Sequence, residues 1–423
     1  PKTQYVFEDP AKPQPSADES IDPDQYPEGT KFTYKDGEVD TTTPGDKKVT
    51  VVAKDGEDKL VEVPAVVKVL PLVKPEGLTV LKGSENLEAA VKAKAEEVVA
   101  ALPKDKLPEG VTVKVKEVKA GTTPTTAEVT ETGKPKPATV VVEYTDDKGN
   151  VIGTKEVEVP VTVVGSTPKS VVVFEGETPK LDKDSVTPGE GGTVGEPTTL
   201  PETTGKAGST DVTVDVPVTY DNGKVTETVK VPVTVLPKAT ADVTVVKNTT
   251  PDKLKELAKD KAKEAVEATD FKSKLPEGAT VTVGDVTEEV LAKLTAEKGT
   301  NTGTVNVPVT YTVDGKDYTT TIPVTVNVKA SDVKPVYVVE GDKPTADDVN
   351  KSITPDTDGT TTPVTDEDIN NAIPTTEGKV GSNDVNVTTK VTYPNNVEEK
   401  VTVPVTVLPK VKPEGVTVPK DAD

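Results

Sequence analysis

The sequence predicts a mainly β chain with helical insertions, arranged as tandem β-sandwich modules in an elongated rod. Three observations predict it. A proline-bearing strand, worded Val-Pro-Val-Thr-Val in three copies and close to it in the other two, recurs along the chain, at Leu60 to Val67, Val157 to Val163, Val229 to Val235, Thr321 to Val326 and Val401 to Val407. The prolines of these strands (64, 160, 232, 323 and 404) are spaced by 96, 72, 91 and 81 residues, so long and short units alternate. Within a unit, apolar residues fall at every second position, as in Val212-Thr213-Val214-Asp215-Val216, the period of a strand with one dry and one wet face.

Each repeat ends in a hairpin whose second strand carries the proline. The turns read Asp55-Gly56, Lys148-Gly149, Asn222-Gly223, Asp314-Gly315 and Pro394-Asn395-Asn396, and Gly and Asn accept the positive φ that a tight hairpin demands. Proline removes a ladder donor, so the strand that bears it is expected at a sheet edge or bulge. A tyrosine precedes the turn in four repeats, at Tyr144, Tyr220, Tyr311 and Tyr393, with Ala53 in its place in the first. Each repeat also opens with a short apolar strand, at Tyr5 to Glu8, Leu78 to Leu81, Val171 to Phe174, Val243 to Val246 and Tyr337 to Glu340, and Pro-Glu-Gly precedes a strand at Pro27, Pro108 and Pro276.

The extra length of the long units is helical. Leu87, Val91, Ala95, Val98 and Leu102 share one helix face, between Ser84 and Pro103. Thr250 caps a second helix with Pro251 at its first position and Leu254, Leu257, Ala262, Ala265 and Val266 behind. Packing on its own sheet is the expected use of each stripe. Shorter helices are predicted over Thr287 to Leu294, Thr345 to Ile353 and Thr365 to Ile373, each opened by a capping Thr. Proline-marked joints at Leu70 to Pro75, Gly165 to Lys169, Leu236 to Thr240, Ala330 to Pro335 and Leu408 to Pro413 are too short to be flexible tethers. The resulting boundaries are 1–72 (short), 73–166 (long), 167–238 (short), 239–331 (long), 332–410 (short) and 411–423. That last stretch is expected to start a further, truncated unit, because Lys412 to Val418 repeats the wording of Lys74 to Val80.

Composition narrows the chemistry. The 423 residues contain no His, Cys, Met, Trp or Arg, which leaves no thiol nucleophile, no imidazole base, no disulfide and none of the common zinc, haem or iron–sulfur ligand sets. No catalytic, cofactor-binding or metal-binding residue stands out, and no cofactor is expected. The formal charge of -22, with Lys interspersed among more numerous Asp and Glu, argues against nucleic acid and against an anionic membrane surface as partners. No window approaches the apolar length of a membrane span. A monomer is expected.

The stretch from Tyr26 to Leu70 resembles the Rib (alpha-like) repeat of Gram-positive surface proteins. The residues that carry the likeness are Tyr26-Pro27-Glu28-Gly29-Thr30-Lys31-Phe32, Val39-Asp40-Thr41-Thr42-Thr43-Pro44-Gly45-Asp46, Val49 to Val52 and the Pro64 strand. Gly133-Lys134, Gly205-Lys206 and Gly378-Lys379 keep the layout with little of the wording, and the long units look like a helix-extended form of the same domain. The resemblance implies immunoglobulin-like (Rib-type) β-sandwich modules used in tandem as an extracellular stalk. It also implies covalent cell-wall attachment through a C-terminal region beyond these residues, and contact with host glycan or protein through a separate head domain.

Several constellations suggest sharper chemistry and are outweighed. Leu200-Pro201-Glu202-Thr203-Thr204-Gly205 looks like a sortase signal but has an extra Thr and lacks the apolar segment and basic tail that should follow. Asp146 to Asn150 and Asp314 to Asp317 have some calcium-loop flavour without the spaced ligands or closing Glu, which favours solvated hairpin turns. Asn248-Thr249-Thr250 and Asn386-Val387-Thr388 fit the glycosylation pattern, which means little for a bacterial chain, and no buried Lys with a nearby acid is singled out for an isopeptide bond. Carboxylate pairs of glycosidase type lack any accompanying Trp-lined cleft. Two readings of function remain. One is a spacer that holds a distal adhesin away from the wall. The other is a set of modules that themselves bind host glycan or protein, or self-associate, with the turn tyrosines, Tyr220 and Tyr311 above all, as exposed aromatic platforms.

Overall fold

A computed structural model describes residues 1–9, 14–247, 249–287, 302–412 and 415. It divides into two compact units. One comprises Pro1–Val171, Lys180–Pro201 and Thr213–Pro232, the other Val172–Pro179, Glu202–Val212 and Val233–Asp423. The chain is mainly β with helical insertions, and the same four-stranded mixed sheet is built five times.

In each sheet the order is leading strand, proline strand, first hairpin strand, edge strand. In the first repeat these are Gln4–Phe7, Asp58–Leu70, Gly45–Asp55 and Lys31–Tyr34. The second uses Leu78–Leu81, Val151–Val164, Lys136–Thr145 and Thr112–Val118, and the third Val171–Phe174, Val225–Leu236, Thr213–Tyr220 and Thr193–Val194. The fourth uses Ala241–Val246, Lys316–Lys329, Thr302–Val313 and Thr280–Val283, and the fifth Val336–Val339, Val397–Leu408, Asn386–Tyr393 and Thr360–Thr361.

The turn chemistry of the sequence is what closes these hairpins. Gly56, Gly149, Asp314, Gly315, Asn395 and Asn396 all take positive φ, as do Asn222 and Gly223, so the backbone reverses at the residues that tolerate the left-handed region. The hairpin registers run without slippage for eight pairs in the third repeat, Thr213↔Pro232 through Tyr220↔Val225, which puts Val212, Val214, Val216 and Val218 together on the buried face.

The proline strand lies inside every sheet, where an edge position was expected. The leading strand adds to it in parallel, an arrangement that local alternation does not encode. The physical reason it tolerates proline is the length of that added strand. The parallel ladder starts at Val161, Val324 and Val405, one residue past Pro160, Pro323 and Pro404, and at Val67, three past Pro64. The residue without an N–H thus sits just before a second neighbour begins to draw on that side of the backbone.

The layer facing each sheet differs between the two kinds of repeat. In the long repeats it is helical. Helix α1 (Leu87–Ala100) buries Leu87, Val91 and Ala95 against Val140, Val142, Val159 and Val161. Helix α2 (Pro251–Glu267), followed by the single turn α3 (Thr269–Lys272), buries Leu254, Ala258, Ala262, Val266 and Phe271 against Val305, Val307, Val324 and Val326. Thr250 caps α2 as its position implies, with its hydroxyl oxygen accepting from the Lys253 amide at 3.3 Å. In the third and fifth repeats the facing layer includes a two-stranded ribbon, Thr167–Pro168 with Val186–Thr187 and Asp332–Val333 with Ile353–Thr354, whereas in the first the short turn Ala17–Ser20 and Ile21 after it pack against Val51 and Ala65. The fifth repeat adds α4 (Ala346–Lys351) and α5 (Asp366–Ala372). Both open with a capping box, Thr345 with Asp348 and Thr365 with Asp368, and these contacts hold both carboxyls below their usual range. The helix predicted over Thr287 to Leu294 and the tail beyond Lys412 lie outside the described residues, Thr287 and Gly415 apart. Among the described residues no helix is long and apolar enough to cross a membrane.

Candidate functional site: the tyrosine-anchored joints

Glycine, Asn and the hairpin period bring the residue before each turn to the end of a sheet, facing inward. Tyr144, Tyr220, Tyr311 and Tyr393 occupy this place, and at 2% exposure or less they are the largest fully buried side chains among the described residues. The expectation of exposed aromatic platforms is therefore overturned, for Tyr220 and Tyr311 and for the other two alike. A tyrosine ring removes a large apolar area from water, and its hydroxyl then requires a partner. Each hydroxyl meets the segment joining the repeat before, and two of the four also bond a glutamate of their own hairpin.

Two kinds of joint alternate. Where a short repeat leads into a long one, the tyrosine hydroxyl donates to a backbone carbonyl of the joint. Tyr144 Oη reaches Pro71 O at 2.6 Å, and Tyr311 Oη reaches Pro237 O at 2.6 Å. The leading strand of the short repeat supplies a phenylalanine edge-on to each ring, Phe7 to Tyr144 and Phe174 to Tyr311, both at 5.2 Å between centroids. Leu70 and Val73 complete the first of these contacts, Leu236 the other. Gly153, opposite Tyr144 in the hairpin, leaves the seat for Phe7, since a Cβ there would stand 2.9 Å from the ring. Polar contacts surround the first joint. Lys68 pairs with Asp46 at 3.7 Å and donates to the Glu109 carbonyl, and the Glu109 amide donates back to Asp46 at 3.3 Å. Burial raises both tyrosines to about 12, so they stay protonated donors across the neutral range.

Where a long repeat leads into a short one, a serine and a glutamate replace the carbonyl. Tyr220 Oη lies 2.7 Å from Ser166 Oγ and donates to Glu227 at 3.2 Å, while Glu227 also accepts the Ser166 amide at 2.9 Å. The fifth repeat has the same set. Tyr393 Oη lies 3.1 Å from Ser331 Oγ and donates to Glu399 at 3.0 Å, and Glu399 takes both the amide and the hydroxyl of Ser331. Glu399 thus holds a tyrosine and two groups of the joint at once, and Glu227 a tyrosine and one, through the charge-assisted type of bond that is strongest. Burial is the first cause that raises Tyr220 and Tyr393. Gly192 and Gly359 make room for these rings: an added Cβ would fall 2.6 Å from Tyr220 Cε1 and 2.7 Å from Tyr393 Cε1. The first repeat, with Ala53 at this position, has no such hydroxyl, and its Glu62 pairs with Lys35 and Lys59.

The other motifs resolve into local structure. Thr203, within the sortase-like stretch, is buried and donates to Glu177 O at 2.7 Å, and the Gly205 amide donates to Glu175. Thr376 and Gly378 make the matching bonds to Asp342 O and Glu340. This stretch is the repeat's own turn, held from inside. Asp146 accepts the amides of Lys148 and Asn150 together with the Asn150 side chain, and Asp317 accepts from Thr312, so these acids close their own hairpins. Asn386 donates to Asn383 O, and Asn248 lies outside the described residues. Among the described residues no lysine is buried and no cluster of three acids is poised for a metal ion.

Sequence reasoning located the four tyrosines and missed their partners. Phe7, Phe174, Ser166, Ser331, Gly192 and Gly359 lie apart from them in the chain, and Glu227 and Glu399, though in the same hairpins, are two acids among many. A signal was present in the alternation itself, because Ser166 and Ser331 both open joints that follow a long repeat, whereas Leu70-Pro71 and Leu236-Pro237 open joints that follow a short one.

Comparison with known proteins agrees with the repeat that the sequence marks most clearly. No curated protein matches the chain. Among solved structures, the human desmocollin-1 ectodomain is 10% identical, with 98% of this chain and 99% of that one covered at a TM-score of 0.14. Drosophila N-cadherin EC1-4 is 12% identical, with 79% and 99% covered at 0.15, and the ICAM-5 D1-D4 fragment is 11% identical, with 69% and 85% covered at 0.17. Scores of this size describe no common overall arrangement. The family model of the Rib domain matches residues 2–69. The first repeat, with its Asp-Thr-Thr-Thr-Pro-Gly-Asp run and its Pro64 strand, is thereby matched to the Rib domain.

Proposed function

We propose that the chain is a structural stalk of a Gram-positive surface protein, extracellular and attached to the cell wall, whose repeats project a distal ligand-binding domain. The observation that carries this reading is the repetition of one sheet with a buried tyrosine at each of four successive joints. A joint that sequesters an aromatic ring and satisfies its hydroxyl resists bending, because reorienting the neighbours would expose the ring and break the bond. The Rib match and the low aromatic content support the same reading. The competing idea, that the repeats bind glycan through the turn tyrosines, loses its candidates because those rings are buried. Among the described residues many acids are engaged in turns, caps and lysine pairs, as Asp146, Asp348 and Glu62 are, which suits a non-enzymatic role.

Small-angle scattering of the whole chain tests the proposal. A compact body of this length would have a radius of gyration of about 22 Å, whereas five modules in line, roughly 150 to 200 Å long, give roughly 43 to 58 Å. A value near the lower figure, or a profile of freely jointed beads, refutes the stalk.

A further inference from the structure

The fifth repeat ends in an apolar face that its counterparts keep covered. By position in the sheet, Tyr337, Val339 and Leu408 correspond to Tyr5, Phe7 and Leu70 of the first repeat. The register proves it: Phe7 pairs with Leu70 and Val339 with Leu408, and the next amide donates to the leucine carbonyl in both, Glu8 to Leu70 and Glu340 to Leu408. In the third repeat the same bond joins Glu175 to Leu236, with Phe174 beside it. Leu70 and Leu236 are 1% and 0% exposed, packed with the tyrosine of the following long repeat, whereas Leu408 is 43% and Tyr337 63% exposed. The joint residue repeats the contrast. Val73 is 3% exposed and Val411, its counterpart, 86%.

We infer that Tyr337, Val339, Leu408 and Val411 form a docking face for one more repeat of the long kind, whose turn tyrosine would donate to the Pro409 carbonyl as Tyr144 does to that of Pro71. Three observations choose this occupant. The face is the third copy of one whose other two copies each hold a long repeat. The stretch Val407 to Val418 matches Val69 to Val80 at ten of twelve positions, so the joint carries the wording that leads into a long repeat. A second copy of the chain is not a fitting occupant, because its two long repeats already have their tyrosines engaged, Tyr144 with Phe7 and Tyr311 with Phe174. The inference rests on the geometry and wording of the joint and stands or falls apart from the stalk reading, since a chain that projects nothing would still dock this way.

The test exploits the absence of cysteine. Tyr337→Cys places a single thiol on the face, and its maleimide labelling rate is measured in the whole chain and in a chain extended after Val418 by a second copy of residues 81–166. Labelling at the rate of an open thiol in the first and at least about tenfold slower in the second is expected, an opening cost of 1.4 kcal/mol per tenfold. Replacing the grafted counterpart of Tyr144 by Ala should restore the fast rate. Equal rates in the two chains overturn the inference. A second measurement does not depend on the graft folding. Tyr337→Ala with Leu408→Ala should leave the melting temperature of the unextended chain unchanged, while Phe174→Ala lowers it. An equal drop would mean that the face is already in use within the chain, and concentration-dependent dimerisation abolished by the double substitution would mean that a second copy covers it; either result overturns the assignment.

Discussion

Tyr311→Phe isolates a single bond in a joint. The substitution removes one oxygen and keeps the ring, so the edge contact with Phe174 and the tilted contact with Phe271, 6.2 Å between centroids, survive. What is lost is the 2.6 Å bond to Pro237 O, inside a contact where the tyrosine is wholly buried and Leu236 beside the carbonyl is too. A buried acceptor stripped of its donor costs about 1 to 3 kcal/mol. Proline has no amide, so the readout is hydrogen exchange at the joint residues that follow, Lys238 to Ala241. If local opening of the joint governs their exchange, the loss speeds it about 5- to 150-fold, at 1.4 kcal/mol per tenfold. The amides of the fifth repeat's hairpin, Asn386–Tyr393, should keep their rates. Exchange at the joint that changes by less than about twofold, or that changes equally in the distant hairpin, would show that the hydroxyl does not hold the joint.

Other outcomes follow from the same geometry. Gly192→Ala and Gly359→Ala push a methyl into the Tyr220 and Tyr393 rings, and each should destabilise its repeat by about 1 to 3 kcal/mol in urea unfolding; a neutral result would mean that the rings have room to move. Absorbance titration of tyrosinate should show Tyr144 and Tyr311 ionising near pH 12. Because their folded values lie above the unfolded value of about 10, the unfolded chain loses these protons first. Their contribution is therefore complete below that pH and falls as pH rises toward 12, which alkaline unfolding curves of Tyr144→Phe and Tyr311→Phe should show by a flatter dependence. Thr345→Ala and Thr365→Ala should each cost about 0.5 to 2 kcal/mol through loss of a cap, measured by thermal unfolding of the fifth repeat. Asp348 and Asp368, held below their usual range by these caps, contribute stability above the unfolded carboxylate value that is lost as pH falls through the folded one, and the alanine variants should lack that acid dependence.

The long repeats show how much local chemistry can specify. The stripe from Leu87 to Val98 and the Thr250-Pro251 start contain a helix in themselves, since periodicity and capping act within a few turns, and α1 and α2 form there. The hairpins are equally local: a strand, two residues that accept positive φ, and a second strand define their own register. The place of the proline strand is not local. Whether Pro160 sits at an edge depends on Leu78–Leu81 arriving in parallel from some eighty residues earlier, and on that strand stopping one residue short of the proline. Alternation along one strand carries no information about a neighbour so far away.

The tyrosines divide along the same line. Their recurrence before each turn was determined by the amino-acid sequence alone, as were the alternation of long and short repeats, the hairpins, the helices and the absence of thiol and imidazole chemistry. Whether those rings face water or a neighbour was decided only by tertiary structure. A tyrosine beside a hairpin turn is amphipathic, and nothing in its immediate surroundings chooses between the two. Burial follows once the preceding repeat brings Phe7 or Phe174, or Ser166 or Ser331, against it, with an acceptor for the hydroxyl. The energy of that contact belongs to the pair of repeats and to neither one, so the residues around the turn do not carry it and only the alternation of the joints hints at it.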